Sequence, residues 1–324
     1  MALFLVTGGA GFIGSNICEY LLKEGKRVRV LDNFVNSSRK NLAFLEKIPA
    51  PRGRLELIEG DIRDFETCIA ACKGVDFVLH QAALASVPGS VEDPATYHEV
   101  NATGTLNMLQ AAKEAGVKRF VYAGSSSAYG DEGEDEPRPK TEDLPPRPLS
   151  PYAVSKLAGE YYCQVFPALY GLETVVLRYF NVFGPRQDPK SQYAAVIPKF
   201  ITALLQGERP TIYGDGWQTR DFIFVEDVVR ANLLACLAGK EAVGQIINVA
   251  GGRAVSINEL YQVIADLLGS ELKPHYVSPR PGDVRHSLAD ISRAQRLLGL
   301  QNLTPLEEGL RKTISWYRSF SSGP

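Results

Sequence analysis

Short apolar runs alternate with longer amphipathic stretches along most of the chain. Leu3–Thr7, Arg27–Asp32, Leu55–Glu59, Phe77–His80, Arg119–Gly124 and Glu173–Tyr179 read as strands, the first of them, Leu3-Phe4-Leu5-Val6, apolar enough to be buried on both faces. Between them, Ile13–Leu22, Ala95–Gly116 and Pro151–Tyr170 repeat their apolar positions at helical spacing. This alternation predicts an α/β fold built on a doubly wound parallel sheet of Rossmann type, with ligands at the carboxyl ends of its strands. A further apolar strand, Gln245–Val249, is expected to rejoin that sheet. From Asn181 onward Gly and Pro become denser and the alternation fades. The expected division is residues 1–180 plus about 225–250 for the sheet domain, and about 181–224 plus 251–324 for a smaller mixed α/β domain. The Pro- and acid-rich stretch Gly130–Ser150 reads as a surface loop.

Composition narrows the class. The 324 residues are 45% hydrophobic and 22% charged, ample for a large core and a second unit. A formal net charge of −2 gives no general attraction to nucleic acid or to an anionic membrane. Cys18, Cys68, Cys72, Cys163 and Cys236 are scattered through apolar stretches; Cys68 and Cys72 lack further ligands for a metal site, so buried thiols are the reading. Met1-Ala2-Leu3-Phe4 runs straight into the first strand without a basic leader, and no apolar run has membrane-spanning length. A cytoplasmic protein is expected.

Two motifs carry chemistry. Thr7–Gly14 reads T-G-G-A-G-F-I-G, a strand-to-helix turn where Gly8, Gly11 and Gly14 let backbone approach a pyrophosphate and helix approach sheet. The next strand ends at Asp32, about 20 residues on, where a carboxylate accepts from an adenosine ribose and repels a 2′-phosphate, favouring NAD over NADP. Ser150–Lys156 reads S-P-Y-A-V-S-K. Ser150 is a good N-cap and Pro151 a good first helical residue, so Tyr152 sits in the first turn with Lys156 on the same face. A phenol is a poor base at neutral pH, but an ammonium neighbour, the positive helix end and an oxidised nicotinamide all favour its phenolate. A nicotinamide acceptor beside a Tyr base points to oxidation of an alcohol carbon.

With these motifs, and with L-D-N at Leu31–Asn33, G-D-I-R-D at Gly60–Asp64, H-Q-A-A at His80–Ala83, S-S-S-A-Y-G at Ser125–Gly130, R-Y-F-N-V-F-G-P-R-Q at Arg178–Gln187, T-R-D-F at Thr219–Phe222 and R-P-G-D-V-R-H-S at Arg280–Ser287, the chain resembles the extended short-chain dehydrogenase/reductases, in particular the nucleotide-sugar epimerases. The resemblance covers essentially the whole sequence. It implies cofactor contacts from Gly8, Gly11, Phe12, Ile13, Gly14, Asp32, Asn33, Asp61, Ile62, Gln81, Ala82, Ala83 and Tyr179, with Lys156 on the nicotinamide ribose beside Tyr152. It implies catalysis by Ser125, Tyr152 and Lys156, and uridine diphosphate held by Asn181, Arg220 and Arg280 with Asp283 nearby. It also implies a homodimer formed by the helices Ala95–Gly116 and Pro151–Tyr170, the latter presenting Val154, Leu157, Ala158, Tyr161 and Val165.

Particular positions select among related chemistries. The related dehydratases carry an Asp-Glu pair, and the related decarboxylases a Glu, where this chain has Ser126 and Ser127. Serines cannot serve as the acid and base that water elimination needs, so reversible hydride transfer at an otherwise unchanged sugar, an epimerisation, is the expectation. The branch it most resembles prefers N-acetylated UDP-hexosamines, through A-A-L-A-S-V-P at Ala82–Pro88, R-Q-D-P at Arg186–Pro189 and R-H-S at Arg285–Ser287. That resemblance places Ser86, Gln187 and Ser287 around a 2-acetamido group, with Ser126 also on the substrate. UDP-GlcNAc/UDP-GalNAc interconversion, with UDP-Glc/UDP-Gal also accepted, is the reading. An epimerase or reductase of another nucleotide sugar, such as a UDP-uronic acid, and a non-catalytic dinucleotide sensor are the alternatives; the intact Tyr152 and Lys156 argue against the sensor.

Overall fold

The computed structural model describes residues 1–45, 48, 54–131, 138–189, 195–279 and 284–321. Its strands are β1 (Leu3–Thr7), β2 (Arg27–Asp32), β3 (Leu55–Glu59), β4 (Phe77–His80), β5 (Arg119–Ser125), β6 (Thr174–Tyr179), β7 (Asn181–Phe183), β8 (Thr211–Tyr213), β9 (Thr219–Phe224), β10 (Ile246–Val249), β11 (Ala254–Ser256) and β12 (His275–Val277). The main sheet runs β10-β6-β5-β4-β1-β2-β3 with every pair parallel. Strand order reverses at β1, with β2 on one side and β4 on the other, so the crevice at their carboxyl ends is the ligand position of a doubly wound sheet.

The apolar runs form central strands because both faces of the sheet are covered. On one face the helices Phe12–Lys23, Val225–Leu237 and Ser292–Leu298 bury Ile17, Leu21, Val228, Ala235 and Leu298 against Val6, Val30, Val121 and Leu177. On the other, Phe65–Cys72, Gly104–Glu114 and Pro151–Tyr170 bury Cys68, Cys72, Met108, Leu109, Cys163 and Phe166 against Leu5, Val78, Phe120 and Val176. All five cysteines are free and buried, and burial pushes their thiols up, to about 12 for Cys68, Cys72 and Cys236. Ala294, Leu298 and Leu300 join the main-sheet core although they lie beyond residue 251 in the chain.

A second core of Phe183, Phe200, Phe222, Phe224, Leu260, Ile264 and Leu310 lies under the small sheet β11-β9-β7, beside the pair β12-β8. The helix Pro151–Tyr170 starts as its sequence predicts: Ser150 Oγ accepts from Ala153 N at 3.2 Å, and Gly171 ends it in the left-handed region at φ 73°. The helix expected over Ala95–Gly116 is present as one continuous run from Pro94 to Glu114 that contains a π-helical turn. It runs as Pro94–His98, a π-helical turn Glu99–Thr103 and Gly104–Glu114. The π turn is held from outside: Asn101 receives Leu84 N on Oδ1 at 2.8 Å, and its Nδ2 donates to Leu84 O at 2.9 Å and to Ser155 Oγ at 3.0 Å.

Candidate active site

The glycine turn is shaped by close backbone approach. Gly8 has φ 64°, and a Cβ on it would stand 2.8 Å from Ala82 N. A Cβ on Gly14 would stand 2.2 Å from Gly8 O, so only glycine lets the helix Phe12–Lys23 close on the turn. Asp32 locks the opposite rim: Oδ2 accepts from Ala10 N at 2.9 Å, and Oδ1 accepts from Phe34 N at 2.9 Å and Ser37 Oγ at 2.7 Å. Asn33 Nδ2 donates to Asp61 Oδ2 at 2.9 Å, and Arg63 beside Asp61 holds that carboxyl down at about 2. Asn36 Nδ2 reaches across to Ala83 O at 3.1 Å.

Together these residues line a cleft of about 310 Å³ that takes in every expected cofactor position: Gly8, Gly11, Phe12, Ile13, Gly14, Asp32, Asn33, Asp61, Ile62, Gln81, Ala82, Ala83, Tyr152, Lys156 and Tyr179. A glycine cradle with no space for a Cβ, at a helix N-terminus and opposite a carboxylate on the second strand, fits a dinucleotide. Asn36 and Ser37 also line it. Their signal in the sequence is a polar turn directly after the Asp32 strand.

At the inner end of this cleft, β5 ends at Ser125 against the helix start that carries Tyr152. The Ser125 hydroxyl and the Tyr152 phenol are neighbours in one cavity wall. Ser127 supports Ser125, with its Oγ at 2.9 Å and its N at 3.2 Å from Ser125 Oγ. Burial pushes the Tyr152 phenol above its ordinary value, while the neighbouring Ser125 hydroxyl opposes this. Lys156 is buried with Nζ 4.4 Å from the centre of the Tyr122 ring. Burial pushes its ammonium down to about 8, against the opposing pull of Glu160. Behind it, His80 bonds Thr7 Oγ1 at 2.7 Å and Thr105 Oγ1 at 3.0 Å, and burial with Lys156 nearby holds it neutral, at about 3.

Two more cavities adjoin. One of about 830 Å³ is lined by Ser125, Ser126, Ser127, Tyr152, Tyr179, Asn181, Lys140, Arg220, His286 and Ser287. The other, about 450 Å³, is lined by Ser86, Asn181, Gln187, Phe200, Tyr213, Gln218 and Arg220. Ala85, Asn181 and Arg220 border both.

The residues expected around a 2-acetamido group, Ser86, Gln187 and Ser287, line these two adjoining cavities, which share Ala85, Val87, Pro88, Asn181 and Arg220. Ser287 stands in the cavity with Tyr152, whereas Ser86 and Gln187 stand in the other. Ser86 Oγ caps the short helix Val87–Glu92 by accepting from Gly89 N at 3.0 Å, and Gln187 Nε2 is spent on Val182 O at 3.2 Å. Arg280 and Asp283 lie outside the described residues. Among the described residues no group of His, Cys, Asp and Glu could hold a metal, and no helix is long and apolar enough to cross a membrane.

A doubly wound sheet with a dinucleotide cradle at its switch point, opening onto a Tyr–Lys pair and a second cavity, defines an NAD-dependent enzyme of alcohol oxidation. Residues 4–250 match the NAD dependent epimerase/dehydratase family, and the chain belongs to it. It is 40% identical to the UDP-glucose 4-epimerase of Mycolicibacterium smegmatis over 98% of this chain and 99% of that protein. It is 36% identical to the UDP-glucuronate 4-epimerase of Thermodesulfobacterium geofontis, over 98% and 96% respectively. The UDP-N-acetylglucosamine 4-epimerase structure from Methanobrevibacter ruminantium, in complex with UDP-N-acetylmuramic acid, superposes with a TM-score of 0.90 at 41% identity, covering 98% of this chain and 99% of that one. NAD is the cofactor, and the chain is a nucleotide-sugar 4-epimerase of the NAD-dependent kind.

Proposed function

We propose that the protein interconverts UDP-GlcNAc and UDP-GalNAc, and accepts UDP-Glc and UDP-Gal in the same site. The observation that carries this reading is the composition of the larger cavity. Ser125 and Tyr152 stand in it with Ser126, Ser127 and Ser287 as small neutral wall residues, leaving room beside the reacting carbon, and the two positions after Ser125 carry no carboxylic acid for elimination.

Gly8, Gly11 and Gly14 would hold the NAD pyrophosphate, Asp32 its adenosine ribose, and Lys156 its nicotinamide ribose. NAD, when bound, supplies the hydride acceptor and returns the hydride. Tyr152 takes the proton from the sugar O4 while Ser125 hydrogen-bonds the same oxygen. Burial opposes the Tyr152 phenolate, so the Lys156 ammonium and the helix N-terminus are needed to favour it. After oxidation the 4-keto sugar turns in the cavity, and Tyr152 gives the proton back to O4 of the opposite epimer. A cavity of about 830 Å³ permits that turn. Asn181, Gln187 and Arg220 would hold the nucleotide diphosphate in the adjoining cavity, from which the smaller sheet unit covers the sugar.

Lys140 and His286 also line the larger cavity, and this favours a UDP-uronic acid as second reading. Separate incubation with UDP-GlcNAc, UDP-Glc and UDP-glucuronate, with products followed by NMR, decides between them. Turnover of UDP-glucuronate alone would overturn the first reading.

The protein would act as a homodimer. Val154, Tyr161, Val165 and Leu169 form an exposed apolar stripe along Pro151–Tyr170, with Tyr162 beside it. Leu157, expected on that face, instead packs inward at 6% exposure. A monomeric mass at micromolar concentration would count against the dimer.

A further inference from the structure

Tyr152, Lys156 and Glu160 follow one another at intervals of four residues and so share one face of the helix Pro151–Tyr170. Glu160 and Arg178 are a fully buried ion pair, with side chains 0% and 1% exposed. Arg178 Nε lies 3.1 and 3.0 Å from the two carboxylate oxygens, and Nη2 lies 2.7 Å from Oε2. The same carboxylate lies against the backbone of β5 where that strand ends at Ser125. It presses so closely on β5 that a Cβ on Gly124 would stand 2.8 Å from Glu160 Oε1. Arg178 pairs with Gly124 in the β5–β6 register and lies 4.7 Å over the Tyr129 ring. Burying two charges costs more than burying apolar residues of similar size, so stability alone does not account for the pair.

We propose that Glu160, held by Arg178, is the positioning residue of the proton-transfer site: one helical turn from Lys156 and pressed against the backbone that ends β5 at Ser125, it supplies the counter-charge for the Lys156 ammonium and ties the helix of Tyr152 to β5. This rests on the roles proposed above for Tyr152 and Lys156. The groups facing Lys156 are Glu160 and Cys163 on its own helix, Tyr122 on β5 and His80 on β4, with Tyr152 one turn before it. His80 is neutral, and burial keeps the Cys163 thiol and Tyr122 phenol protonated. Of these groups Glu160 supplies the negative charge that offsets the burial of the ammonium. Arg178 stands on the far side of that carboxylate and is kept charged by it. Tyr97 faces Tyr152 from the short helix Pro94–His98.

The test is the pH profile of kcat/KM in the holoenzyme. Glu160→Gln keeps the shape but removes the charge; Glu160→Gln/Arg178→Met also removes the unbalanced guanidinium if the single variant is unstable. Loss of an opposite charge at this range lowers a lysine by about 1–3 pH units, so the alkaline limb moves down by that amount in both variants. Arg178→Lys, which keeps both charges, leaves the limb in place. A limb at its wild-type pH in either Gln variant overturns the proposal, even if thermal stability falls, because a purely structural role changes stability and not the limb. In the wild type, 15N NMR titration of the Lys156 ammonium must coincide with the limb. If it does not, the assigned role of Lys156 fails and takes this proposal with it, an outcome distinct from failure of Glu160 alone.

Discussion

Gly14→Ala tests the cofactor cradle by the smallest possible change. The added Cβ would stand 2.2 Å from Gly8 O, 2.8 Å from Gly9 Cα and 2.9 Å from Gly8 C, all backbone atoms. The first is about 1.2 Å short of ordinary contact, which begins near 3.4 Å. Nothing flexible can give way, and Gly8 O is also the acceptor for Gly11 N at 3.0 Å, so the helix must lift from the turn. Gly14 is helical, so alanine gains about 1 kcal/mol of helix propensity, whereas overpacking costs roughly 1–3 kcal/mol or more. The net loss is therefore up to about 2 kcal/mol or more, concentrated at the NAD site, where each ~1.4 kcal/mol is tenfold in affinity. We expect NAD affinity, by calorimetric titration of cofactor-free protein, to fall by about 10- to 100-fold. Gly116→Ala is the contrast: at φ 67° with open space around it, it strains only its own backbone, by ~1–2 kcal/mol, and leaves NAD binding intact. Unchanged NAD affinity in Gly14→Ala would refute the claim that helix-to-turn contact builds the cradle.

Tyr152→Phe should nearly abolish turnover while retaining NAD, because the ring still fills its place; near-wild-type activity would sink the mechanism. Ser125→Ala should lose less, within the roughly 10²–10⁴-fold expected of a proton-transfer helper, read as kcat. Wild-type kcat/KM should fall as pH rises through about 8, where Lys156 loses the proton that favours the Tyr152 phenolate; a profile flat to pH 10 would contradict this. Ser287→Tyr should cost UDP-GlcNAc turnover far more than UDP-Glc turnover, since a ring in the wall of a packed cavity costs roughly 1–3 kcal/mol where the acetamido group must fit. Equal slowing of both sugars would return the substrate to an unspecified UDP-hexose.

The main sheet could be read from the chain because its strands are buried on both faces, so each appears as an unbroken apolar run with turn residues at its ends. Read strand boundaries for β1 to β4 agree with the structure to the residue. The π-helical turn at Glu99–Thr103 inside the expected helix could not be read, because periodicity there continues while Leu84, which Asn101 of the turn bonds, lies outside that helix. Asp32 was legible as an acid at a strand end. That it also holds Ala10, Phe34 and Ser37 was not, since these bonds depend on how the turn folds back. Ser86, Gln187 and Ser287 read as one group from the resemblance alone; in the fold they line two adjoining cavities, a detail that depends on how distant loops meet and leaves no local pattern in the sequence. Glu160 and Arg178 left a weaker signal: each is a charge inside an otherwise apolar pattern, and such residues are buried only when paired.

The helix Pro151–Tyr170 has two opposed faces, and this links assembly to chemistry. Its inner face carries Tyr152, Lys156 and Glu160, while its outer face exposes Val154, Tyr161, Val165 and Leu169. If a second copy covers the outer face, association buries apolar area on the same rigid element that positions the base. Dissociation then exposes that stripe and loosens the contact of the helix with Ser125. Val165→Glu places a charge at the centre of the stripe, where burial without a partner is strongly disfavoured. The expected outcome is a monomer by sedimentation whose kcat falls with the loss of dimer, while wild-type specific activity falls on dilution along the same curve as its dimer fraction. A Val165→Glu monomer with wild-type kcat would show that the active site is complete in one chain and that the apolar stripe serves assembly alone.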